Sequence, residues 1–144
     1  MRTSCSCSFL SFWKVSSFLR AEFITFLILD FIWLGFIAKD FYARQLALYL
    51  TDNVIWSSAL IFYVIFNIGL LIFVIIPSIE KNSYFTLVLY AILYGLVTFA
   101  TYDLTNLATV KEWPLIVSLI DMAWGMFVAF SSASVAFFAN KYLF

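Results

Sequence analysis

The sequence contains no histidine. Imidazole-driven serine or cysteine catalysis is thereby excluded, as is an H-E-x-x-H zinc helix. Haem would lack its usual axial ligands, with only Met1, Met122 and Met126 as thioethers. Cysteine occurs twice, at Cys5 and Cys7, so no disulfide framework crosses the remainder of the chain. A lone C-x-C supplies only part of the ~4 ligands that a structural zinc needs. Charge is scarce as well: 11% of residues, balanced to zero, against roughly a quarter in soluble domains. Without a long basic run, nucleic acid is not an expected partner. No D-x-x-x-D pair, nucleophile elbow or nucleotide-binding motif is present. No cofactor is therefore assigned.

What the chain has in quantity is hydrocarbon. Hydrophobic residues make up 65% of its 144 positions and mean hydropathy is +1.05, the composition of an integral membrane protein whose main partner is the lipid bilayer. The 18 phenylalanines read as bilayer-facing bulk. Four apolar runs, at about 21–38, 54–76, 84–109 and 114–138, approach the ~20 residues that cross a bilayer core as helix. Helix is forced, because an open sheet in lipid leaves backbone groups unpaired and four segments cannot close a barrel. Pro77 is expected to end the second run, and Pro114 opens the fourth. Short connections at 78–82 and 111–113 make successive helices antiparallel. The expected fold is all-α: a four-helix transmembrane bundle, up-down-up-down. Between spans 1 and 2, apolar positions 41, 42, 46, 49 and 50 predict a short interfacial helix. Tyr49, Trp56, Tyr84, Trp113 and Tyr142 lie near span ends, where aromatic belts form.

Residues 1–20 hold six serines and three basic residues, with no acid before Glu22. This composition fits a poorly ordered cytoplasmic tail, an organellar transit peptide (hence an organelle membrane) or an upstream start codon, followed by a membrane domain over 21–144. Phe36 is too large for the −3 position of a signal-peptidase site, so the first run is retained as a span. Arg2, Lys14, Arg20, Lys81 and Lys141 fall on one side of the membrane, and Lys39, Arg44 and Lys111 on the other. The excess places both termini in the cytoplasm.

Three aspartates interrupt the apolar runs: Asp30, Asp103 and Asp121. A carboxylate in hydrocarbon costs several kcal/mol unless it is protonated, solvated or bound, so each is a functional candidate. Counting ~1.5 Å per residue along alternating helices puts all three ~12–14 Å below one membrane surface. They form a layer, with Tyr63 at the same depth in span 2 and Asn67 one turn deeper. Between Thr98 and Thr109, seven of twelve side chains can hydrogen-bond, among them Tyr102, Asp103 and Asn106. This stretch is expected to face a wet cavity or neighbouring helices. Asp30-x-x-Trp33 and Asp121-x-x-Trp124 repeat one spacing on helices of opposite direction, as an inverted repeat would, but two four-residue matches are weak evidence and coincidence is the favoured explanation.

Several strings carry a family resemblance: Trp33-Leu-Gly35, Tyr94-Gly95, Thr101-Tyr-Asp-Leu-Thr-Asn106, Trp113-Pro114 and Asp121-Met-Ala-Trp-Gly125. Over roughly residues 23–138 the chain resembles a family of small, predicted bacterial inner-membrane proteins catalogued as a domain of unknown function. The resemblance implies four spans and a bacterial inner (cytoplasmic) membrane, and no activity.

Three functions compete. A binding or transport module would use the acids, with Trp33, Tyr63, Asn67, Tyr102, Asn106 and Trp124, to hold a proton, a cation or a small polar or cationic ligand. Four helices are few for a pathway, so transport implies a homo-oligomer or a membrane-protein partner. A lipid-modifying enzyme would use Asp30, Asp103 and Asp121 as metal ligands or as general acid and base. An accessory subunit would pair the same acids with a partner's buried Lys or Arg.

Overall fold

The computed structural model describes residues 19–49 and 55–143. Residues 1–18 of the expected leader, with Cys5 and Cys7, lie outside the described residues, and its last two, Leu19 and Arg20, already belong to the first helix. The first helix, α1, is Leu19–Ile37. Its final turn, Trp33–Ile37, widens into a π-helix, and the chain bends by 63° into α2, Lys39–Gln45. The apolar pattern predicts helix as far as Leu50, but it ends at Gln45. Beyond that point Tyr49 turns away: its hydroxyl donates to the Lys111 carbonyl and its ring lies 5.6 Å from that of Trp113.

The next helix, α3, runs Trp56–Glu80 and passes straight through Pro77, contrary to the expected stop. A proline inside a helix removes an N–H and pushes its ring against the preceding turn. Here the turn before it, Leu71–Ile75, is π, a local widening of the kind that accommodates such a residue. A tight connection through Asn82, at φ 46°, leads to α4, Tyr84–Thr109, whose N-cap is Ser83. The Ser83 hydroxyl accepts the Thr86 N–H at 3.2 Å and satisfies one of the free donors of the first turn. The last helix, α5, is Leu115–Leu143, entered through Glu112 at φ 62° and Pro114.

Three helices are long and apolar enough to cross a membrane, and a fourth span is counted when α1 and α2 are taken as one broken element. No strand occurs among the described residues, and the chain is an all-helical bundle.

Its tightest seam is between α4 and α5. Leu87, Ala91, Gly95 and Asp103 recur on one face of α4 and are buried, facing small residues of α5 such as Ala129, Ala133 and Ala136, all fully buried. In lipid, where hydrophobicity does not drive helices together, close approach of small residues supplies the packing energy. A Cβ on Gly95 would run into the backbone carbonyl of Gly125, and one on Gly125 would run into the Phe99 ring. Elsewhere, Phe26 of α1 packs on Phe66 of α3 at 4.9 Å, and the Tyr94 hydroxyl of α4 donates to the Phe66 carbonyl at 2.9 Å.

Gly95→Ala and Gly125→Ala should therefore each lower stability by ~1–3 kcal/mol through overpacking. Gly35→Ala, where an added Cβ meets nothing within 4 Å, should be neutral or slightly stabilising. Thermal unfolding of the purified protein in detergent checks this; equal melting temperatures for all three variants would contradict the seam.

Candidate functional site

The buried positions Glu22, Phe26 and Asp30 lie four apart on α1, a spacing that stacks side chains on one helix face. Asp30 is thereby turned into the bundle. Its Oδ2 accepts the Tyr63 hydroxyl of α3 at 2.6 Å, and its Oδ1 accepts the Trp124 indole N–H of α5 at 3.4 Å. On the facing helix, Asp121 accepts the hydroxyl of Tyr42, which in turn accepts the Trp33 indole N–H at 3.2 Å.

The two Asp-x-x-Trp segments are thus interlocked. Each tryptophan reaches across to the other segment's aspartate, Trp124 directly and Trp33 through Tyr42. The two indoles stack between them, with centroids 4.4 Å apart and planes 7° from parallel. The 63° bend after α1 brings α2 back so that Tyr42 can take part.

Around this set lies a cleft of about 350 Å³, walled by Asp30, Trp33, Tyr42, Phe62, Tyr63, Phe99, Asp121 and Trp124, among others. Among the described residues, no three acidic or cysteine side chains are grouped so as to hold one metal ion. Asp30 and Asp121 share the cleft, and Asp103 is not among its lining residues.

The other residues singled out from the sequence lie apart from the cleft. Asp103 is fully buried in the α4–α5 seam, and neither carboxylate oxygen has a hydrogen-bond partner. The Ser118 hydroxyl donates to its main-chain carbonyl at 3.4 Å. Tyr102 is 61% exposed, and Asn106 is half-buried beside it on α4. Asn67 donates to the Tyr63 carbonyl at 2.7 Å; it lines a separate cleft of about 270 Å³ with Leu19, Phe23 and Val64.

The threonines of α4 line neither of the clefts described above. Thr101, Thr105 and Thr109 are exposed, and each hydroxyl donates to the carbonyl four residues earlier, at 2.6–2.7 Å. A threonine satisfied by its own helix leaves no donor needing water, which removes the cost that pointed these side chains inward. Sequence reasoning also left out Tyr42, Phe62 and Phe99 of the cleft, and Glu22. Glu22 is fully buried, and both its carboxylate oxygens are without a hydrogen-bond partner. The spacing of Glu22 eight residues before Asp30 was the available signal for Glu22. For Tyr42 there was none without the bend.

Two indoles stacked this closely should couple as an exciton pair. Circular dichroism in the tryptophan bands should show a couplet that disappears in both Trp33→Phe and Trp124→Phe. Trp56→Phe, at a position 77% exposed, should leave it intact. A couplet surviving both of the first two changes would show that the rings are not stacked.

Neither the curated proteins nor the solved structures contain a match to this chain. A family model described as "Predicted membrane protein (DUF2177)" matches residues 15–138, which is most of the chain. The match begins inside the serine-rich stretch that the residue-by-residue resemblance left out. The chain belongs to this DUF2177 family of predicted membrane proteins.

Proposed function

We propose that the protein binds a small organic cation in the cleft between Asp30 and Asp121, against the Trp33–Trp124 stack, as a binding or transport module. The observation that carries this reading is the pairing of two carboxylates from different helices with a predominantly aromatic wall. Carboxylates supply net negative charge, and the faces of Trp, Tyr and Phe attract a desolvated cation, most strongly an alkylammonium. Asp30 accepts from two donors, and a carboxylate has further acceptor capacity that a cationic head can use. A volume of about 350 Å³ falls within the ~300–1,000 Å³ typical of small-molecule sites.

The metal-dependent enzyme reading is less well supported, because the acids do not converge. By the distribution of Lys and Arg, we place both termini in the cytoplasm of a bacterial cell, with the cleft under the outer face of the inner membrane. Transport would further require a second copy or a partner to complete a pathway.

The test is equilibrium binding of radiolabelled choline to the full chain in lipid nanodiscs. Saturable binding is expected, weakened at least about tenfold (~1.4 kcal/mol) in Asp30→Asn and in Asp121→Asn. Asp103→Asn, outside the cleft, should bind within about twofold of wild type. Absent binding, or binding indifferent to both cleft aspartates, would overturn the reading.

A further inference from the structure

The acid–aromatic cleft is not the largest opening on the molecule. A groove of about 610 Å³ runs between α1 and α3, lined by Leu27, Ile28, Phe31, Ile32, Gly35 and Trp56 together with Asp30, Leu34 and Tyr63. The last three residues also line the acid–aromatic cleft, so the two spaces meet at one carboxylate. Phe31, Ile28 and Ile32 are 70%, 54% and 42% exposed, on the surface a membrane helix turns to lipid. The groove is therefore open sideways to acyl chains, and Asp30 with its Tyr63 donor is part of its lining. An apolar groove facing lipid is ordinary, since lipid tails are as apolar as leucine. One lined by a buried carboxylate selects for a molecule with both parts.

Resting on the cation-site reading above, we infer that the ligand is an amphiphilic cation: an alkylammonium whose head lies between Asp30 and Asp121 and whose hydrocarbon tail lies in the α1–α3 groove. Charge complementarity fixes the head, and the wall of Asp30, Leu34 and Tyr63 that the two spaces share puts the groove directly beside the head, where the tail leaves. The ligand enters laterally from the bilayer, with its tail in hydrocarbon throughout and only its head group exchanging water for carboxylates and aromatic faces.

Gly35 separates head recognition from tail recognition. It lines the groove but not the acid–aromatic cleft, and an added Cβ there meets nothing within 4 Å. Gly35→Leu should consequently fold, since leucine is the better helix former, and should occupy the space meant for the tail. Radiolabelled choline bound to the full chain in nanodiscs is displaced either by unlabelled choline or by dodecyltrimethylammonium. Partition into the bilayer raises the apparent potency of the long competitor on any protein, so the comparison is between variants at constant lipid.

Gly35→Leu is expected to raise the half-displacing concentration of dodecyltrimethylammonium at least about tenfold, leaving that of choline within about twofold. Equal potency of the long competitor on both proteins would overturn the tail site while leaving the cation site standing. A matching loss of choline binding in Gly35→Leu would also overturn it, because the groove would then not be separable from the head site. Failure of choline to bind wild type removes the cation site itself, whatever the long competitor does.

Discussion

A carboxylate held in hydrocarbon has to be compensated from within the protein, and the geometry at Asp30 and Asp121 is organised around that need. Among the described residues, no lysine or arginine lines the cleft. The compensation comes from phenol and indole donors instead: Tyr63 and Trp124 on Asp30, Tyr42 on Asp121. Hydrogen bonds to charged groups are worth roughly 1.5–3 kcal/mol each, so two of them offset a large part of the cost of an intramembrane acid. The donors are themselves aromatic, so the side chains that satisfy the acids also wall the cleft.

This arrangement ties the fold to the site. Asp30 receives bonds from α3 and α5, and Asp121 on α5 is bonded to α2, whose Tyr42 is in turn bonded to the last turn of α1. One polar cluster therefore links four helical elements at one depth. The α4–α5 seam, held by glycine and alanine, gives the rigid face on which Trp124 and Asp121 stand. The π turn and the bend at the end of α1 place Tyr42 where a straight helix would have carried it away into the interface.

How much of this is legible in the sequence depends on the coordinate in question. Spacing along the helices is in part: residue counts bring Asp30, Asp103, Asp121 and Tyr63 to one level, and Asp30, Asp121 and Tyr63 line one cleft while Asp103 does not. Direction around the helix is much less so. In a chain that is 65% hydrophobic, lipid-facing and core-facing positions have the same chemistry, and only small residues such as Gly95 and Ala91 mark the inner face of α4. Asp103 follows that stripe into the seam, whereas Tyr102, its neighbour, points outward. The threonines of α4 misled for a definite reason: hydropathy counts a hydroxyl as polar, but one bonded to its own helix is not a liability in lipid. Pro77 misled because a π turn accommodates what an α turn does not.

The central claim is that neutral aromatic donors, and not a counter-charge, keep the intramembrane acid in place. A double-mutant cycle between Asp30→Asn and Tyr63→Phe, read as unfolding free energy in a lipid environment, tests it directly. If the Tyr63 hydroxyl compensates an ionised carboxylate, each single change destabilises and the two effects couple by about 1–2 kcal/mol. Effects that add within ~0.3–0.5 kcal/mol would contradict the account, because the 2.6 Å contact would then contribute nothing to holding the acid in the membrane.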